Sequence, residues 1–151
     1  MTELNIAQAL RGAARMLEAI SPAPRFDAEL LMAHALDESR SDMLLRHMTD
    51  PVPDAFAALL ERRRAHEPMA YILGNEEFFG LPFKVSADVL IPRADSEVVV
   101  EQAIASRPGA RAVLDCGTGT GALLLAVLSQ LEDAHGTGVD RSPQALGIAR
   151  H

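Results

Sequence analysis

Asp115, Gly117, Gly119 and Gly121 stand at every second position of VLDCGTGTGALLLAV, directly behind a short apolar run, and Asp140 follows the last glycine at about the 20-residue separation of a strand–helix–strand unit. Glycine at the end of a buried strand lets the chain turn sharply and lets a ligand lie on bare backbone, because no Cβ stands in the way. Two ligand classes use such a turn. Dinucleotides require Gly-x-Gly-x-x-Gly with pyrophosphate at the helix N-terminus. The spacing here is Gly117-x-Gly119-x-Gly121, and no Gly-Lys-Ser/Thr follows, so neither that fingerprint nor a P-loop is present. The other class is a nucleoside without phosphates. Asp140, closing the next strand beside the loop, suits the acceptance of both ribose hydroxyls. Its plainer role, capping the helix that begins at Pro143, is better filled by Ser142.

The elements that must position these residues follow from periodicity. Residues 1–72 read as short helices that need one another for stability. Ile6, Leu10, Ala13, Leu17 and Ile20 share one helical face, and Ser21-Pro22-Ala23-Pro24 breaks that helix. A second begins near Pro24, with Phe26, Leu30 and Leu31 expected inward. Ser41 to Leu45 suggests a third. Pro53 suits the first turn of a fourth carrying Phe56, Leu59 and Leu60, and Pro68 stops or restarts it.

From Asn75 the period changes. Glu77 to Val85 predicts two strands around a Gly80 turn, and Val89 to Pro92 an extended segment. Ser96 is placed as the N-cap of a helix through Val98, Val99, Gln102 and Ile104. Arg107 to Ala110 is a turn, Ala112 to Asp115 a buried strand, and Thr120 to Leu131 a helix. Gly138 to Asp140 ends a second strand, and Ser142-Pro143 opens another helix. Strand, helix, strand, helix begins a parallel α/β sheet.

Composition bounds the rest. The 151 residues are 48% hydrophobic, enough for a packed core, with a net charge of −7 that argues against a general nucleic-acid clamp. A single cysteine, Cys116, excludes an internal disulfide and a cysteine-based metal site and fits a reducing cytosol. The five histidines show no paired ligand spacing. MTELNIAQALRG does not read as a signal peptide, and no stretch is long enough to span a membrane. Cys116 is expected as a small buried residue, Arg62-Arg63-Arg64 as a solvated helix face, and at least two of Phe78, Phe79 and Phe83 as anchors of the hairpin to helices.

Asp115-x-Gly117-x-Gly119-x-Gly121, with Asp140 closing the second strand, resembles class I S-adenosylmethionine-dependent methyltransferases. RRRAHEPMAYILGNEEFFGLPFKVSADVLIPRADSE (residues 62–97) and RFDAELLMAHAL narrow this: both resemble the protein-(glutamine-N5) methyltransferases that modify peptide chain release factors. The resemblance covers essentially the whole chain. It implies an α/β protein: a small N-terminal helical bundle (1–72, substrate recognition), a β-hairpin and linker (73–92), and the first half of a Rossmann-like methyltransferase domain (93–151). It implies S-adenosylmethionine bound by Asp115, Gly117, Thr118, Gly119, Thr120, Gly121 and Asp140, with Pro92 and Arg93 near the substrate and no metal. The implied reaction is transfer of a methyl group to the side-chain amide nitrogen of the glutamine in a Gly-Gly-Gln motif. The implied partners are release factors in the cytoplasm, with no membrane and no direct nucleic-acid contact.

Two departures stand out. Ala94 replaces the family's proline after Ile-Pro-Arg, and the catalytic Asn-Pro-Pro-Tyr is missing. No catalytic residue is therefore expected in this chain; that motif is expected downstream of His151, and the chain alone is expected to be inactive. The competing readings are a ribosomal-protein glutamine methyltransferase, an amino-group methyltransferase on DNA, and a binding module without turnover.

Overall fold

The computed structural model describes residues 4–150. The first three residues of MTELNIAQALRG and His151 lie outside that range. The protein is α/β, with helices first, then a β-hairpin, then a parallel pair of strands. The chain forms two compact units, Met1–Leu73 and Gly74–His151.

The first unit is helical. Helix α1 (Ile6–Leu17) opens with a capping box, in which Asn5 Oδ1 accepts the Gln8 N–H at 2.9 Å and Gln8 Oε1 accepts the Asn5 N–H at 3.1 Å. Its apolar face, Ile6, Leu10, Ala13 and Leu17, is buried as the spacing predicts. Helix α2 (Pro24–Leu36) starts on a proline and stops where Asp37 turns left-handed. Helices α3 (Arg40–Arg46), α4 (Ala55–Arg64) and α5 (Met69–Leu73) complete the unit. Leu31, Met32, Met43, Phe56, Leu60 and Ile72 join α1 in one core. Each fully buried aliphatic side chain contributes about 1.5–3 kcal/mol.

Helix α2 departs from the sequence expectation. Phe26 points outward, 47% exposed, while Asp27 and Glu29 are buried. Glu29 accepts Arg25 Nε at 2.6 Å and Arg40 Nε at 2.8 Å, and the Arg40 guanidinium then covers the Phe26 ring, 5.0 Å from its centroid. The Arg62–Arg64 run is not uniformly solvated either. Arg63 turns in to pair with Asp27 Oδ2 at 2.9 Å and to donate to the Glu67 carbonyl at 3.0 Å. Buried charge survives only when paired, and among the described residues every buried side-chain nitrogen or oxygen has a partner.

In the second unit, β1 (Asn75–Phe78) and β2 (Leu81–Lys84) pair antiparallel, Phe78 opposite Leu81. Phe79 and Gly80 between them both take positive φ, 54° and 73°, as a two-residue primed turn requires. Phe78 and Phe83 are buried with Val100 of α6 (Glu97–Ser106) and Ala126 and Val127 of α7 (Ala122–Leu128), so both rings anchor the hairpin to helices. Strands β3 (Ala112–Cys116) and β4 (His135–Val139) run parallel, Asp115 opposite Gly138, and α8 (Pro143–Ala149) follows.

Several local expectations are corrected here. Val89 lies in a turn, its N–H donating to the Ser86 carbonyl, rather than in an extended segment. A 3-10 turn, Ala94–Ser96, leads into α6, so Ser96 is already helical and makes no side-chain cap. Helix α7 is shorter than residues 120–131, because Thr120 and Gly121 belong to the loop that starts it. Strand β3 is not buried: Leu114 is 64% exposed and Cys116 is exposed, since helix α7 covers only one face among the described residues.

Candidate functional site

The glycine loop joins β3 to α7. Gly117, Gly119 and Gly121 take φ of 84°, 55° and 82°, the left-handed region that only glycine enters at little cost. The Gly117 and Thr118 N–H groups both donate to the Val139 carbonyl, at 2.7 and 3.0 Å, which ties the loop to the end of β4. A Cβ on Gly117 or Gly119 would meet nothing within 4 Å, so the loop backbone is bare on an open side.

The two strand-end acids meet this loop differently. Asp115 Oδ2 accepts the Thr118 hydroxyl at 2.8 Å. Asp140 Oδ2 accepts the Gly119 N–H at 2.9 Å, and its Oδ1 accepts the Ser142 N–H at 2.9 Å. The amide of Ser142, then that of Gly119, hold the Asp140 carboxyl below the usual carboxylate range, so it is an anion at neutral pH. Ser142 itself caps α8, its hydroxyl accepting the Ala145 N–H at 3.2 Å. Asp140 therefore does not cap that helix; it joins the loop to the residue that does.

Thr118 and Thr120 are buried beneath the loop. Thr118 serves Asp115, and Thr120 Oγ1 accepts the Ala122 N–H at 3.2 Å. Their side chains support the loop from within. A cavity of about 140 Å³ lies against Gly117–Thr120 and the start of α7, closed by Phe78, Ser96 and the segment from Leu90 to Arg93. Pro92 and Arg93 thus share one cavity wall with the glycine loop. Its size is below the roughly 300–1,000 Å³ of a pocket that swallows a whole drug-sized ligand, so it takes part of one. A separate cavity of about 240 Å³ near Pro108–Arg111 and Gln130–Asp133 sits at the opposite end of β3, away from the carboxyl ends of the strands where α/β sheets bind ligands.

The arrangement fits a ribose-bearing ligand without phosphates: open glycine backbone, an anionic carboxylate beside it, and an α7 whose Ala122 amide is already engaged by Thr120. Among the described residues no group of three His, Cys, Asp or Glu is placed to hold a metal ion, and no helix is long and apolar enough to cross a membrane.

Glu97 is the residue that sequence reasoning missed. Its Oε1 accepts the Phe79 N–H at 3.0 Å, fastening the strained hairpin turn to the start of α6 beside the cavity. An acid in the first turn of a helix already favours the helix dipole, so its type carries no separate signal for this long-range contact.

Residues 8–74 match the family described as the PrmC N-terminal domain. Over 86% of its length the chain is 45% identical to the release factor glutamine methyltransferase of Aliivibrio fischeri, covering 47% of that protein. It is 44% identical to the Vibrio cholerae enzyme of the same name over 97% of the chain and 53% of the relative, and 43% identical to that of Escherichia coli over 93% and 52%. The chain spans about half the length of the curated relatives it matches. Residues 8–74 thus match the PrmC N-terminal domain, and nearly the whole chain is similar to about half the length of the release factor glutamine methyltransferases.

Proposed function

We propose that this chain supplies the S-adenosylmethionine-binding loop and a substrate-recognition domain of a protein-glutamine N5-methyltransferase acting on peptide chain release factors in the cytoplasm. The observation that carries this reading is the Asp140 carboxylate seated 2.9 Å from the Gly119 amide, at the edge of an open glycine loop. The names of the relatives support the reaction class.

In this reading Gly117, Gly119 and Gly121 let the cofactor lie on backbone, and Asp140 accepts the ribose hydroxyls. Asp115, whose carboxylate accepts the Thr118 hydroxyl, is a further cofactor-binding residue of the loop. Pro92 and Arg93 border the space where the glutamine side chain enters. The bound sulfonium supplies an electrophilic methyl carbon and needs no metal. An amide nitrogen is a poor nucleophile, so acceleration comes from aiming it at that carbon. By family resemblance the groups that aim it belong to an Asn-Pro-Pro-Tyr segment, which these residues do not include.

The test is expression of the complete gene with S-adenosylmethionine and candidate release factors, followed by mass spectrometry. One added methyl on the glutamine of a Gly-Gly-Gln peptide is expected. Methylation of a ribosomal protein or of DNA, with that peptide unmodified, would overturn the substrate assignment.

A further inference from the structure

The glycine loop is held from two sides by side chains of its own unit. Asp115 receives the Thr118 hydroxyl, and Asp140 receives the Gly119 amide. The first half of the loop is tied down by backbone, through Gly117 and Thr118 to the Val139 carbonyl; at Gly119 the tie comes from a carboxylate. Gly119 also has open space where a Cβ would stand and a left-handed φ of 55°, so steric walls do not hold it there.

We propose that Asp140 is a positioning residue for the glycine loop: its carboxylate latches Gly119 into the ligand-ready conformation before any ligand arrives. An ionised carboxylate offers about four lone-pair sites. The Gly119 amide engages Oδ2 and the Ser142 amide Oδ1, and the Arg141 amide also bonds the carboxylate, which leaves an acceptor site for a ribose hydroxyl. Latching and ribose acceptance are therefore compatible in one side chain. The latch also joins the loop to the N-cap of α8 through Ser142, so loop and helix are set together. Only the ligand arm of the test below rests on the proposed function.

The first arm needs no ligand. In the 151-residue chain, Asp140→Ala should speed hydrogen exchange of the Gly119 amide about tenfold or more. Asp140→Asn, which keeps one acceptor oxygen, should fall in between, and the Gly117 amide, bonded to Val139, should change little. Unchanged Gly119 exchange in Asp140→Ala overturns the latch. Should that variant not fold, the wild-type chain decides by NMR: the Gly119 and Ser142 amide protons should shift together with the Asp140 carboxyl carbon as it titrates. The charged group that acts on it is Arg141 beside it, and Asp115 stands on the neighbouring strand, so the carboxyl carbon of Asp115 is followed as well. A Gly119 amide that ignores Asp140 overturns the proposal.

The second arm separates latching from ribose contact. S-adenosylhomocysteine and its 2′,3′-dideoxy counterpart are titrated calorimetrically into wild type and Asp140→Ala. The latch predicts weaker binding of both, several-fold for the dideoxy ligand and tenfold or more for the other. A loss confined to the ribose-bearing ligand overturns the latch. If wild type binds neither, the proposed function fails, and the exchange measurement still decides the latch.

Discussion

The Thr118 side chain occupies the space that a Cβ on Gly138 would need. Its Oγ1 lies 2.8 Å and its Cγ2 3.0 Å from that position. The same hydroxyl donates to Asp115, so one side chain both packs against β4 and orients Asp115. Gly138 is thus required by packing as well as by its place near the strand end. Gly138→Ala should destabilise the second unit by about 1–3 kcal/mol, as overpacking does. Adding Thr118→Ala, which removes the two nearest atoms, should recover part of that loss. A double-mutant cycle by denaturant unfolding checks it, with a coupling of about 0.5–3 kcal/mol expected between residues in contact.

Gly119→Val should weaken S-adenosylmethionine at least tenfold. The new side chain clashes with no protein atom, since the space beyond Gly119 is open; it instead forces a β-branched residue to φ 55° and fills the ligand's side of the loop. Circular dichroism should show the N-terminal helices intact while calorimetry shows the loss. Normal binding would mean the ligand does not approach this backbone.

Asp27→Ala should destabilise the helical unit by about 3 kcal/mol, because it strands the Arg63 guanidinium among buried groups. The side chains of the pair are only 11% and 14% exposed, so solvent compensates little. Replacing both by apolar residues of similar volume should cost much less. Thermal unfolding of the single and double variants distinguishes the two outcomes.

Glu29 links the same unit to pH. Burial alone raises its carboxyl, but the hydrogen bonds from Arg25 and Arg40 outweigh it, and the native value is lowered. A depressed carboxylate stabilises the fold above its unfolded value, about 4.3, and that contribution is lost as pH falls through the lower native value. Stability measured from pH 6 down to about 3 should therefore decline, and the part due to this group should vanish in Glu29→Gln. An identical pH dependence in that variant would assign the decline to other carboxylates.

Much of the protein was legible in the sequence because it is encoded locally. Helix α1 follows from Ile6, Leu10, Ala13 and Leu17 at one face; backbone periodicity needs no distant partner. The hairpin follows from its turn, where Gly80 permits the positive φ, and the loop from three alternating glycines, whose conformational freedom is their sequence signal. What tertiary structure alone decided is where side chains end when their partners are remote. Phe26 looks apolar and inward by type, yet it faces out because Glu29 draws Arg40 across it. Arg63 looks solvated within a basic run, yet it is drawn in by Asp27, 36 residues earlier. Asp140 reads as a ligand acid, and only the fold brings it to Gly119 across 21 residues; Glu97 likewise reaches Phe79 across 18. The physical reason is common to all four: periodicity reports which face of an element is apolar, whereas a charge settles wherever the folded chain delivers its counter-charge or its amide, and that delivery is not written in the spacing of neighbouring residues.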